Sequence, residues 1–424
     1  MPAMSKKTIL VYYSILLLIL LSWHNPIATP PEFIRILYLT AVMLPAILKA
    51  PSWIPIIITL FYAISNYGSY VSYMPNQMYL YVLFPAAAIC IKIKKSTQSD
   101  FASLYVLIFC AYTFLLNICN SSTFESITAC LALLFLFFKL IPYNSTEYIH
   151  LFSCAFSLIS LVLSSQFVFG GSTFQTDFGS GGFDRTEWMD PNYFGCVIGI
   201  GAITSLIEAL LNRSISKFTK CIFFIIYGFS CYVLISNASR GALLATFSSS
   251  IVLFLLSDMK LGIKILSTAI FCLFVILLYE NSVFDFLLYR MQLDEGRGGS
   301  GRTSIWLTKY HEYNKLPFWN QLFGIGYRNG MKLGFGYARG FHNDYIAFLV
   351  EYGAVGLLMA LYFLIKPTFK CYNRFIVLAI LIYIVMASCT LEPLSGGMII
   401  YFSFYLYAIL ISKSKEFLCS GMNL

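Results

Sequence analysis

The feature that most restricts this chain is a succession of apolar runs separated by polar turns. They begin at Thr8–Trp23 and Phe33–Leu48 and end at Phe375–Ser388 and Met398–Ile411. About fourteen such runs can be drawn. A crossing helix needs about 20 residues, and several runs are shorter, so the expectation is about twelve to fourteen membrane-spanning helices. Composition supports a lipid solvent. Apolar residues make up 59% of the chain and charged residues 11%, against about 25% charged in an ordinary soluble domain. Mean hydropathy is +0.76. Disorder, collagen, coiled coil and disulfide scaffold are excluded by the same composition. The expected fold class is all-α: a polytopic transmembrane helical bundle with one large outer cap loop.

The net charge of +9 could signal nucleic acid, but the positions of the cations explain it. With a cytoplasmic N-terminus, seventeen Lys and Arg fall at cytoplasmic ends, among them Lys6, Lys7, Lys92, Lys94, Lys95, Lys217, Lys220, Lys366 and Arg374. The short outer loops keep only Arg35, Arg185 and Arg240. This is the asymmetry that orients membrane helices. It predicts that both termini are cytoplasmic and that no nucleic acid is bound. The first run follows Lys6 and Lys7 without a small-residue cleavage site, so it reads as an uncleaved helix. The twelve cysteines form no C-x-x-C pair and no Cys/His cluster. Most sit in apolar runs, so neither disulfides nor a zinc site is expected. No cofactor is expected.

These signals divide the chain into five parts. Residues 1–169 and 193–283 are membrane helices, 170–192 is an outer loop, 284–344 is the large outer loop, and 345–424 returns to membrane helices. The long loop is rich in aromatics and glycine, which suits a folded cap resting on the membrane better than a tether. Within it, Thr303–Lys315 reads as a helix capped by Ser300 or Thr303. Trp306, Tyr310 and Tyr313 lie on one side of that helix, and Arg302 stands at its start.

Charged residues at or near lipid are costly, so each invites a reason. Arg302 at a helix start makes an anion site, or it is a surface arginine beside a cap. Arg240 lies in the tight turn Ser236-Asn237-Ala238-Ser239-Arg240-Gly241 between two apolar runs. It faces an anion, or it snorkels to lipid head groups. His342 opens His342-Asn343-Asp344 just before an apolar run. Imidazole can exchange a proton near neutral pH, although a lone interfacial histidine is more often structural. Asp344 and Glu351 share one helical face. Glu351 is expected to face a polar cavity or to be paired within the bundle. Gly324-Ile325-Gly326 resembles a phosphate loop in glycine content alone. No nucleophile elbow, metalloprotease motif or metal-spaced carboxylate cluster occurs.

Taken together, several short elements resemble one family. They are Asp190-Pro191-Asn192-Tyr193 before a helix, Ser239-Arg240-Gly241, Gly301-Arg302, Phe323-Gly324-Ile325-Gly326, and His342-Asn343-Asp344-Tyr345 leading into Val350-Glu351-Tyr352-Gly353-Ala354-Val355-Gly356. Their order, spacing and side resemble the bacterial O-antigen polymerase and O-antigen ligase superfamily of integral-membrane glycosyltransferases, over roughly Asp190 to Ala360. The resemblance implies a periplasmic site in the inner membrane that acts on undecaprenyl-diphosphate-linked oligosaccharide, without metal and with inversion. It implies that Arg240 and Arg302 hold the diphosphate and that His342 assists the acceptor. Arg185, Glu187, Asp190, Asn192, Arg339, Asn343, Asp344 and Glu351 are candidate sugar or phosphate contacts. Membrane lipid and a chain-length regulator are expected partners. Polymerase is favoured over ligase by the Asp-Pro-Asn element and the aromatic cap. A flippase would want ionisable residues at mid-membrane and two matching halves.

Overall fold

In lipid a backbone must satisfy its own hydrogen bonds, and a helix does so within one segment. The apolar runs accordingly fold as helices. The computed structural model describes residues 6–22, 32–49, 51–67, 101–120, 126–141, 146–169, 175–177, 184–186, 191–212, 214–257, 259–293, 301–335, 340–369 and 371–414. The amino-terminal helices are α1 (Lys6–Ser22), α2 (Glu32–Lys49), α3 (Ile54–Tyr67), α4 (Phe101–Cys119), α5 (Ser126–Leu140) and α6 (Thr146–Phe169). Next come α7 (Pro191–Leu211), α8 (Lys217–Ser236), α9 (Arg240–Leu256) and α10 (Leu261–Glu280). The cap holds α11 (Asp285–Leu293), α12 (Arg302–Asn314) and α13 (Phe318–Phe323). The chain then returns through α14 (Asp344–Ile365), α15 (Arg374–Ser388) and α16 (Ile399–Lys413). The expected run Met78–Ile91 lies outside the described residues.

Four of these helical stretches are long and apolar enough to cross a membrane: Thr146–Phe169, Pro191–Leu211, Lys217–Ser236 and Asp344–Thr368. Shorter apolar helices accompany them, including Ile127–Leu140, Arg240–Leu255 and Ile399–Lys413. The protein is therefore a polytopic helical membrane protein. Its described cysteines are free thiols.

The centre of the bundle is α7, buried along nearly its whole length. It packs against α6, α8 and α9, and α9 packs in turn on α15. Small residues allow the close approach, as in many membrane helix pairs. A Cβ on Gly201 would fall 2.4 Å from the Phe156 carbonyl oxygen and 2.3 Å from Ser160 Cβ. Hydroxyls tie the same helices together. Ser160 Oγ lies 2.7 Å from Ser230 Oγ, and Ser205 donates to Ser157 at 2.7 Å. At the periphery, α10 exposes Leu261, Ile265, Leu266, Ile270 and Leu273, the apolar surface of a helix that faces lipid.

Two elements differ from the sequence expectation. Residues 175–177 pair antiparallel with 184–186, with Thr176 opposite Arg185, so the loop at 170–192 contains a small hairpin. Helix α12 forms where expected, but its start is set differently. Gly301 occupies the N-cap position with φ 78° and makes no side-chain cap bond, and Thr303 lies inside the helix. Left-handed backbone is easy for glycine. Ser300 lies outside the described residues.

The cap is folded and pinned to the bundle. Trp306 Nε1 donates to the Phe341 carbonyl at 2.9 Å, and Tyr313 Oη donates to Gln321 O at 2.8 Å. Tyr310 stays half exposed at 52%, so the expected aromatic side of α12 is only partly buried. Lys309 is fully buried. Its ammonium donates to Gly330 O and Met331 O, each at 2.6 Å, and lies 5.1 Å from the ring centres of Phe335 and Phe341. Carbonyls and ring faces offset the cost of burying that cation.

The glycine motifs explain how the cap meets α14. This helix is broken at Gly353, which has φ 70° and ψ −177°. The break frees carbonyls of the preceding turn. Ile325 N donates to Val350 O at 3.3 Å and Gly326 N to Glu351 O at 2.9 Å. A Cβ on Gly353 would stand 2.4 Å from Leu322 O, and one on Gly324 would stand 2.3 Å from Glu351 O. The glycines of Phe323-Gly324-Ile325-Gly326 thus serve a backbone-to-backbone clamp.

Candidate active site

The turn between α15 and α16, Thr390 to Gly397, organises the candidate residues. It has the sequence Thr-Leu-Glu-Pro-Leu-Ser-Gly-Gly. Proline and glycine keep it from continuing either helix.

The guanidinium of Arg302 reaches this turn from the cap, and its Nη1 donates to Thr390 O at 2.9 Å. The head of α9 arrives from another side. A Cβ on Gly241 would lie 2.2 Å from Thr390 Oγ1, so only glycine admits the threonine there. Arg240, half-buried, is the first residue of that helix. Both arginine-bearing elements therefore meet at one residue. The turn before Arg240 is tied to α7. Asn237 Nδ2 donates to Pro191 O at 2.6 Å, and a Cβ on Gly195 would lie 2.7 Å from Ser239 Cβ. Asn192, half-buried at the head of α7, belongs to the same corner.

His342, Asn343 and Asp344 lie along the same turn. His342 has φ 51°, uncommon for a non-glycine residue and often found at functional positions. Its backbone N–H donates to Glu392 Oε1. Asn343 accepts from Ile346 N at 3.1 Å, capping α14, and donates to Cys389 O at 3.2 Å. Asp344 is 1% exposed. Its carboxylate accepts from Leu394 N at 3.1 Å and from Ser395 N and Ser395 Oγ at 2.7 Å each. These bonds point inward and fix the start of α14. Glu351 is also buried, with its Cγ 3.2 Å from where a Cβ on Gly330 would stand.

Gly340 shows what His342 faces. A methyl at this glycine would lie 3.2 Å from Glu392 Oε1 and 3.9 Å from both Cε1 and Nε2 of His342. The imidazole and the carboxylate thus border one small space beside Gly340. Burial pushes the Glu392 carboxyl up to about 7. The nearby Asp344 carboxylate adds to this, while the His342 and Phe341 amides and the Lys309 ammonium oppose it.

A pH dependence follows. A carboxyl raised from 4.5 to about 7 in the fold favours the protonated form. Its contribution to stability is fully present below its ordinary value and is lost as pH rises through about 7. The melting temperature in detergent should fall over that window in the native protein. Glu392→Gln should remove that part of the slope. An unchanged slope would show that another group titrates.

Of the residues read from sequence, Arg240, Asn192, Arg302, His342, Asn343 and Asp344 gather on elements around Thr390–Ser395, and Glu351 sits at the cap clamp. Arg185 is placed by its backbone alone, in the hairpin. Glu187, Asp190 and Arg339 lie outside the described residues. Thr390, Glu392 and Lys309 were not found from sequence. Glu392 left one signal, as an acidic residue in a short turn between two apolar runs. A second polar cluster is separate. Glu208, fully buried in α7, accepts from Asn212 Nδ2 at 2.6 Å and lies 3.1 Å from His150 Nδ1. It lies near the opposite end of α7 from Asn192. Among the described residues no His, Cys, Asp and Glu side chains gather to hold a metal ion.

Two guanidinium groups can neutralise a phosphate, and an imidazole beside a carboxyl can take and pass a proton. None of the curated proteins compared with the chain matches it. Residues 224–361 do match a family model, described as O-antigen ligase. That stretch contains Arg240, Arg302, the cap clamp, His342 and all but the last four residues of α14, so it is the part of this membrane protein that is similar to the O-antigen ligase family.

Proposed function

We propose that the protein is an O-antigen polymerase of the bacterial inner membrane. It joins undecaprenyl-diphosphate-linked oligosaccharide repeats at the periplasmic face, in lipopolysaccharide biosynthesis. The observation that carries this reading is the meeting of the Arg240, Arg302 and His342 segments at one turn, Thr390–Ser395. Both termini are cytoplasmic, and residues 170–192 and 284–344 form the periplasmic side. The membrane parts are 1–169, 193–283 and 345–424.

In this reading Arg240 and Arg302 grip the diphosphate of the donor. The acceptor hydroxyl attacks the anomeric carbon from the opposite face, which inverts it. The bond to the phosphate oxygen breaks, and its electron pair stays on the diphosphate, where the guanidinium groups stabilise the developing charge. The hydroxyl proton passes to His342. Glu392 positions His342 through its backbone amide. Asn192, Asn343, Arg185, Asp190 and Arg339 supply sugar and phosphate contacts, with Asp344 and Glu351 supporting them from within. No metal or cofactor takes part. A chain-length regulator is the expected protein partner.

His342→Ala and Arg240→Ala should leave the protein at normal levels in the membrane while surface polysaccharide shrinks to a single repeat. Long chains from both variants would overturn the reading. Ligase is the second reading, favoured by the description of the matched family model. A strain lacking the gene separates the two: loss of a polymerase leaves one repeat on the lipid A core, and loss of a ligase leaves none.

A further inference from the structure

The cap does not simply rest above the bundle. Tyr112 Oη on α4 donates to Phe323 O at 3.1 Å and to Tyr352 O at 2.6 Å. The end of α13 is thus held at the level of Tyr112 and Tyr352. Helix geometry gives that level a depth. From Gly353 to Lys366, where the polar turn begins, α14 is about 20 Å long at 1.5 Å per residue. The hydrocarbon core of a bilayer is about 30 Å thick. Leu322 to Gly324, packed on Gly353, therefore lie about 10 Å beneath the cap-side boundary. The same rise along α4 places Tyr112 about 10 Å below the helix end at Cys119. Two helices give one depth.

The side chains that α13 exposes there are aromatic. Phe318 is 67% exposed, Trp319 66% and Phe323 40%. The Trp319 and Phe323 rings stack at 6.0 Å with 12° between planes, and Phe318 meets Trp319 edge-on at 5.4 Å. Exposed polar residues flank the stretch, with Asn314 and Lys315 before it and Arg328 and Asn329 after it. The backbone at this depth is satisfied, as lipid requires. Gly324 N donates to Asn320 O, and the next two amides donate to α14. Irregular backbone faces protein, and the rings face outward.

We propose that α13 is a re-entrant helix embedded in the cap-side leaflet, with Phe318, Trp319 and Phe323 against lipid acyl chains. It anchors the cap, through Gly324 and Gly353, at the break in α14. This holds whichever glycan reaction the protein performs.

The test is tryptophan fluorescence of the full chain in lipid nanodiscs, native against Trp319→Phe, so that the difference reports Trp319 alone. With lipids brominated along the chains, the difference signal should fall roughly twofold, as for an indole among acyl chains, and aqueous iodide should leave it unchanged. Quenching by iodide would overturn the proposal by placing the helix in water. Quenching by neither agent would also overturn it, because the rings would then be covered by protein, such as a second copy.

Discussion

Arg302→Ala is expected to reduce elongation by purified protein about 100- to 1000-fold, the loss typical when one fixed donor to a developing charge is removed. That corresponds to about 3–4 kcal/mol of transition-state stabilisation. Arg302 is half-buried, and its Nη1 donates to Thr390 O. A hydrogen bond from a charged group contributes about 1.5–3 kcal/mol to stability. The variant should therefore still fold, melting somewhat below the native protein, while its activity collapses. Arg302→Lys keeps the charge but loses the planar fork that can bond Thr390 and a phosphate together, so it should recover little. Elongation by the lysine variant at the native rate would show that a point charge suffices. Elongation by the alanine variant at the native rate would remove Arg302 from the reaction.

The other large effect is on folding. Gly353→Val should destabilise the detergent-solubilised protein by about 3–6 kcal/mol, summing backbone strain and lost buried hydrogen bonds. A side chain at φ 70° is strained. Its Cβ would also lie 2.4 Å from Leu322 O and 2.5 Å from Gly324 N, both backbone atoms that cannot swing aside. The cap and α14 would have to separate, breaking the bonds from Ile325 and Gly326. Gly228→Val is the control, because nothing lies within 4 Å of a Cβ there. Thermal melting should drop strongly for the first variant and little for the second. Equal melting would mean that the clamp does not hold the cap.

The helical plan was legible because lipid imposes a strong rule on sequence: apolar runs and cation placement suffice. Arg240 and His342 were legible as charged or titratable groups at the ends of such runs, and Arg302 as a cation opening the cap helix. The turn that gathers them was not. Thr390 contributes a carbonyl and a shape, and Ser395 contributes an amide and a hydroxyl; neither leaves a compositional trace. Glu392 was visible only as a lone charge, and its bond to the His342 amide depends on contacts between distant parts of the chain. Gly324 and Gly353 announced themselves as glycines, but their pairing is a tertiary fact. The 175–186 hairpin was missed because each strand is three residues long, too short for a period-two pattern to register.

The turn at Thr390–Ser395 has a consequence for biosynthesis. Both arginines and the histidine leave the ribosome well before the residues that seat them. A nascent chain that ends before Cys389 lacks the Thr390 carbonyl, the Glu392 carboxylate and the Ser395 donors. All of residues 224–361 can thus insert and pack while the candidate site stays unassembled. Only the turn and α16 that follow complete it, so a translation product truncated there carries every recognisable motif and is expected to be inert.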